Sequence, residues 1–306
     1  MIRAVTVKRV RRSAADGMLL ATVALWALNF TVSKYILDQG LRPLAYSSVR
    51  YGCAALVVAA ITLALEGSLR LARRDVPLGV CCVVVLFLNQ LCFVYALSFT
   101  TAATAALLFG TLPIWTALLA RGTGIERQSL RFWLATLLSF CGVALVAVGA
   151  GGKLSSDLKG DVLALCGAIT WSAYSVAIAP LMRRNSPFRL SSVFLLSVTV
   201  PLLIVGSHQL HEQDFGQLDA LVWVGFAFAV LGPIVLTNFL WFTAIGRVGP
   251  SRAALFANLQ PFLGAVIALV VLSEPISALQ IVGGVLLAGG ILLAPRTTTP
   301  PAPDAD

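Results

Sequence analysis

The sequence predicts an all-α membrane protein of ten transmembrane helices, arranged as two inverted repeats of five. Three observations carry this. The 306 residues are 58% hydrophobic and only 11% charged, outside the range of soluble domains. Apolar runs long enough, at about 1.5 Å per residue, to cross a hydrocarbon core of about 30 Å recur along the chain. A stretch of the fourth run also returns in the ninth at one constant offset.

The runs fall at 17–37, 43–65, 76–98, 101–120, 130–150, 160–182, 188–206, 219–246, 249–273 and 277–294, and Gly, Pro and charged residues punctuate the joins. Residues 1–16 form a basic N-terminal segment, and 295–306 (TTTPPAPDAD at its end) a tail too polar and Pro-rich to fold. The segment VKRVRRSAADG ahead of the first run imitates a signal peptide, but the run is too long and lacks a small-residue cleavage site, so it stays attached as span 1. The six cysteines all fall in apolar runs and read as small core residues.

The formal charge of +9 is not a nucleic-acid footprint, because the basic residues fall in short clusters between apolar runs. Seventeen Lys and Arg lie in the N-terminal segment, the tail or alternate loops and three, Arg42, Lys153 and Lys159, in the opposite loops, with Lys34 and Arg50 inside spans. Basic residues resist translocation, so both termini are expected in the cytoplasm of a bacterial-type plasma membrane.

The repeat sets AALLFGTLPIWTALLARGTGIERQS, from Ala105, over AALFANLQPFLGAVIALVVLSEPIS, from Ala253. Pro113, Glu126, Ser129 and Gly142 then meet Pro261, Glu274, Ser277 and Gly290 without a gap. Residues 17–150 and 160–294 become two five-helix repeats joined by a connector at 151–159. Five is odd, so the second repeat enters from the other side, a transporter architecture with its site at the midplane between the halves.

WALNFTVSK in span 1, PLAYSSVRY in span 2, LPIW in span 4 and LQPFLGAVIALVVLSEPISALQIVGGVLLAGGILL across spans 9 and 10 resemble the EamA family of the drug/metabolite transporter superfamily. The resemblance implies a ten-helix inverted-repeat exporter or exchanger of small metabolites. One departure is ALLARGTGIER, where Arg121 and two glycines stand in place of a continuing apolar helix; span 4 is expected to end early.

Polar residues inside the spans are the candidate substrate path. Trp26, Asn29 and Ser33 share one helical face within about 60°, with Lys34 at its edge, and an amide facing lipid would be left unsatisfied. Asn29 either lines a cavity or bonds a neighbouring helix. Lys34 lies close enough to its span end to snorkel, whereas an unpaired Arg50, deeper in span 2, would cost roughly 2.5–3.5 kcal/mol or more and needs a partner or water. Asn89, Gln90, Trp171, Tyr174, Asn238, Trp241, Asn258 and Gln260 complete the lining candidates, with packing as the alternative for each aromatic. Pro113 and Pro261 deprive Phe109 O and Ala257 O of their helical donors and predict kinks, with or without a role in gating.

No Asp or Glu sits at mid-membrane, so a field set by Lys34 and Arg50 favours substrates bearing a carboxylate or phosphate, amino acids included. His208 and His211 lie in a polar stretch, SHQLHEQD, read as an outer loop where they are solvated; no metal or cofactor is expected. No HExxH or GxSxG occurs and no intramembrane acid or histidine could activate a nucleophile, so no enzyme is expected. A lipid or lipid-linked sugar flippase, and a non-catalytic membrane subunit, stand as alternatives to a metabolite carrier. Partners are a small-molecule substrate and membrane lipids, and the cluster GGVLLAGG at Gly283–Gly290 allows close approach of a helix of this chain or of a second copy.

Overall fold

The computed structural model describes residues 2–151, 157–272 and 276–295. Lys153, Glu274, Arg296 and the tail therefore lie outside the described residues. All regular elements described are helical. α1 (Ile2–Asp38), α2 (Pro43–Glu66) and α3 (Val76–Phe99) are followed by two short helices, α4 (Ala102–Phe109) and α5 (Leu112–Gly122), then by α6 (Leu130–Gly149), α7 (Leu158–Leu181) and α8 (Pro187–Glu212). α9 (Ala220–Val230) passes through a π-helical turn, Leu231–Leu236, into α10 (Thr237–Val248); α11 (Pro250–Ala257), α12 (Gln260–Leu272) and α13 (Ala278–Leu293) complete the chain.

Seven helical stretches, starting at Ala14, Pro43, Arg73, Leu130, Leu158, Pro187 and Ala220, are long and apolar enough to cross a membrane among the described residues; Leu107–Gly122 and Ala278–Leu293 are shorter and apolar. Two ends differ from the sequence reading. α1 starts at Ile2 and not near residue 17, because a basic segment can propagate a helix although it cannot enter lipid. α8 runs to Glu212, so His208 and His211 lie on its last turns and not in a loop, and His208 Nδ1 faces Glu212 Oε2 at 3.4 Å.

The helices pack in antiparallel pairs. α2 lies along α8, with Leu44 N on Gln209 Oε1 (2.8 Å) at one end and Thr62 Oγ1 on Ser192 Oγ (2.6 Å) at the other. α3 lies along α7, where Thr100 Oγ1 donates to Asp161 Oδ1 (3.1 Å). α1 lies along α9 and α10, and α6 along α13. The last pair touches backbone to backbone: a Cβ on Gly142 would stand 2.7 Å from Gly283 O, and one on Gly290 2.8 Å from Ala135 O. The glycine cluster of α13 thus meets α6 of its own chain.

The expected kinks at Pro113 and Pro261 are breaks. α4 stops at Phe109 and α5 starts at Leu112; α11 stops at Ala257 and α12 starts at Gln260. A proline in a first helical turn lacks only a donor that has no partner there anyway, so a new helix begins more cheaply than an old one bends. Both breaks close with the same tightened bonds. Gly110 N and Thr111 N donate to Leu107 O and Leu108 O (3.0 and 3.1 Å), as Asn258 N and Leu259 N do to Leu255 O and Phe256 O (3.3 and 2.9 Å). Ser129 and Ser277, at the same offset, each cap the helix that follows, α6 and α13.

Polar contacts bracket the apolar helices at both ends. At the end holding the start of the first apolar run, Arg252 pairs with Asp16 (3.2 Å), Arg184 with Asp75 (3.0 Å) and Arg189 with Glu66 (3.0 Å). Arg252, counted above among loop charges, is buried in the first turn of α11. At the other end Lys34 pairs with Asp38 (3.0 Å) and Arg42 with Glu212.

Candidate functional site

A cavity of about 100 Å³ lies where the continuous helices meet the interrupted ones. Its wall takes Trp26, Asn29 and Phe30 from α1, Arg50 and Tyr51 from α2, and Leu86, Asn89, Gln90 and Phe93 from α3. Trp171 of α7 and Leu195 of α8 also contribute. The rest comes from interrupted backbone: Phe109 and Leu112 flank the α4/α5 break, Gln260 follows the α11/α12 break, and Pro233, Ile234, Thr237 and Asn238 belong to the π-turn and its exit. Irregular backbone at membrane depth is tolerated where it is buried in protein or lines a wet space, and the three interruptions converge on this one.

Arg50 is the charge in the wall. It is only 3% exposed, its Nη1 donates to Tyr46 Oη (3.0 Å) and its Nη2 to Gln90 Oε1 (3.3 Å). The rings of Tyr46, Tyr51 and Phe93 lie 4.6, 5.6 and 5.8 Å from the guanidinium carbon, each contributing about 0.5–2 kcal/mol as cation–π partners. Among the described residues no carboxylate pairs with it, and its Nε finds no acceptor. A guanidinium offers five N–H donors. Two are used here, which leaves three.

The polar stripe of α1 answers this charge through a relay. Tyr46 Oη, loaded by Arg50, lies 2.8 Å from Ser33 Oγ, and Ser33 Oγ donates to Asn29 Oδ1 at 3.3 Å. Each hydroxyl accepts on one side and donates on the other, so the buried bonds polarise one another. Asn29 thus both lines the cavity and bonds, inside α1, to the residue that reaches α2. Tyr46 was missed in the sequence, although its place four residues before Arg50 puts both on one helical face.

The structure gathers Trp26, Asn29, Arg50, Asn89, Gln90, Trp171, Asn238 and Gln260 around the cavity and leaves the other candidates outside it. Ser33 is one shell back, in the relay. Lys34 donates to Leu97 O (3.2 Å) and pairs with Asp38, away from the cavity wall. Tyr174 is buried behind Trp171 against Phe194 and Phe242, and Trp241 packs its ring 4.8 Å from Trp26. Asn258 donates to Ser139 Oγ (3.1 Å), tying the break to α6. Asn89 lines the cavity while clamping α3 to Gly167 O of α7 (2.9 Å). Trp26 Nε1 donates to Pro233 O (3.3 Å) and Thr237 Oγ1 (3.2 Å), holding α1 on the π-turn that the sequence reading did not anticipate. Pro233 was its signal, since a proline inside a helix withholds the N–H its ladder needs.

Where α5 meets α11, Glu126 Oε2 accepts from Ser251 N (3.3 Å), and Gln128 Nε2 bridges Glu126 and Ser251 Oγ (3.3 and 3.1 Å). Every residue of α11 is buried. In its counterpart in the sequence repeat, α4, Thr104 and Ala105 are buried and Leu107 to Phe109 half-buried, and among the described residues it touches α12 only sparsely.

The EamA-like transporter family matches residues 13–148 and again 158–295. The chain is similar to a protein of Streptantibioticus cattleyicolor named probable terminal-alkyne amino-acid exporter, 26% identical over 94% of this chain and 96% of that one. It is similar to an Escherichia coli (strain K12) protein named probable amino-acid metabolite efflux pump, 25% identical over 92% and 95% of the two chains. YyaM, a transporter of Bacillus subtilis (strain 168), is 26% identical over 90% and 92%. A solved crystal structure superimposes with a TM-score of 0.77 over 92% of this chain and 97% of its own, at 18% identity, and so shares the fold.

Proposed function

The chain belongs to the EamA-like transporter family and is a multi-pass membrane transporter; on that premise we propose that it exports or exchanges small carboxylate-bearing metabolites, amino acids among them, by alternating access at the Arg50 cavity. The observation that carries the reading is the buried guanidinium with three unused donors in a space walled by three interrupted helices. Such a cation lends itself to a substrate carboxylate, which can take two parallel N–H bonds. The relatives named for amino-acid export support the substrate class.

Taking the two broken helices, α4/α5 and α11/α12, and α13 as spans beside the seven long stretches supports a reading of ten. Two five-helix repeats, 17–150 and 160–294, inserted in opposite senses, are supported by the twofold family match and by reciprocal contacts. Gly142 packs on Gly283 and Leu287 as Gly290, its mate, packs on Ala135 and Ser139, theirs. An exchange of the halves that preserves antiparallel pairs needs an axis in the membrane plane. The charge bias supports cytoplasmic termini in a bacterial plasma membrane. We read the packed α5/α11 end as the closed cytoplasmic gate and the sparser α4/α12 end as the exit side.

Purified protein reconstituted in liposomes tests this by counterflow of a labelled amino acid chosen by thermal stabilisation of the protein. Arg50→Gln is expected to lower counterflow about tenfold or more, the effect of losing about 1.4 kcal/mol or more of binding, at unchanged insertion. Unchanged counterflow would remove Arg50 from the path.

A further inference from the structure

Resting on the carrier reading of the cavity, we infer that the site selects by net charge, taking a monoanionic carboxylate with an uncharged body in preference to a zwitterion and rejecting a cation. The wall holds one full charge, Arg50, and the groups around it are carboxamides (Asn29, Asn89, Gln90, Asn238 and Gln260) and rings. None of the described wall residues is acidic. Lys34, the other cation within a predicted span, lies outside the cavity wall and is paired with Asp38.

The consequence is electrostatic. An anion entering beside Arg50 neutralises a buried charge whose solvation the protein has already replaced with two hydrogen bonds and three ring faces. A zwitterion neutralises it too but brings a second cation, whose desolvation only partial charges can offset. Those partial charges belong to neutral groups. Pro233 O is engaged by Trp26 and Thr237, and Gln90 Oε1 and Asn29 Oδ1 already accept bonds, which leaves chiefly the carboxamide oxygens of Asn89, Asn238 and Gln260 to meet an ammonium. A lone ammonium meets repulsion from Arg50 with only carboxamide oxygens and ring faces, and no carboxylate of the described wall, to set against it.

Three probes share one three-carbon chain and differ in the charged groups it bears: butyrate, L-2-aminobutyrate and propylamine. Titration calorimetry on the purified full chain at neutral pH should show butyrate binding about tenfold tighter than 2-aminobutyrate, with propylamine unbound. Arg50→Gln should bring the first two within about twofold of each other, Arg50→Lys should keep the order, and Asn29→Asp, which adds the missing acid, should reverse it. Equal or tighter binding of 2-aminobutyrate by the unaltered protein, a preference that survives Arg50→Gln, or no saturable binding of any probe would overturn the inference. Counterflow of labelled 2-aminobutyrate judges the carrier reading separately. Transport with the zwitterion preferred sinks only the charge rule, and the predicted order of binding with no transport of any probe sinks only the carrier.

Discussion

α4 and α11 occupy equivalent places in the two halves and end in the same hydrogen-bonded break, yet they sit in different surroundings. Every residue of α11 is buried, its first turn is bonded to Glu126 and Asp16, and Leu255 packs with Ala117 and Ala135. The same positions of α4, Leu107 to Phe109, are half-buried, and Phe109 faces the cavity. Matching local sequence therefore builds matching breaks, while the packing of each half-helix is set by the neighbours it meets. On the carrier reading proposed above, this unequal packing corresponds to one closed gate and one looser one.

Breaking the packed end should have the largest effect. Glu126→Ala removes the acceptor shared by Ser251 N and Gln128, and truncating one partner of a buried charge-assisted bond costs about 1–3 kcal/mol. Reactivity of a cysteine at Ala254, in a background with the native cysteines replaced, should rise about tenfold or more toward a water-soluble thiol reagent. Unchanged protection would show that apolar packing alone holds that gate.

A smaller effect is expected at the breaks. Pro261→Ala restores an N–H for Ala257 O and favours one continuous helix, so counterflow should fall severalfold while thermal stability is kept or rises; the matched Pro113→Ala should do the same at the sparser end. Full transport by both variants would make the prolines passive.

The smallest effect belongs to Lys34. Its ion pair with Asp38 is partly exposed and worth about 0–1 kcal/mol, so Lys34→Met should change counterflow less than about twofold. A loss as large as that of Arg50→Gln would return Lys34 to the substrate path.

Most of the fold was legible because lipid imposes a simple rule on length and polarity. α2, α3, α6 and α7 begin and end within two residues of the apolar runs at 43–65, 76–98, 130–150 and 160–182, where Pro, Gly and charges mark the boundaries. Hydropathy reads where oil stops and not where hydrogen bonding stops, so it missed the polar extensions of α1 and α8. The site was legible to the extent that a buried polar side chain needs a wet or bonded place. The helical wheel put Asn29 inward and the cost of a charge in lipid did the same for Arg50, but neither argument could say which neighbour each would meet, nor separate Trp26 on the wall from Trp241 behind it. The π-turn at Leu231–Leu236 had a local signal in Pro233, but the bond from Trp26 that ties it to α1 is tertiary, and no local pattern encodes it.

Cysteine accessibility at one matched pair tests the central claim most directly. Phe109→Cys and Ala257→Cys sit at the same offset before the two breaks. In oriented vesicles without substrate, a water-soluble thiol reagent should modify the Phe109→Cys variant from the exit side only and leave the Ala257→Cys variant protected. Turnover should expose the thiol of the Ala257→Cys variant from the opposite side, while that of the Phe109→Cys variant becomes less reactive. Equal reactivity of both, or reactivity of both from the same face whatever the substrate, would contradict alternating access by two oppositely inserted halves.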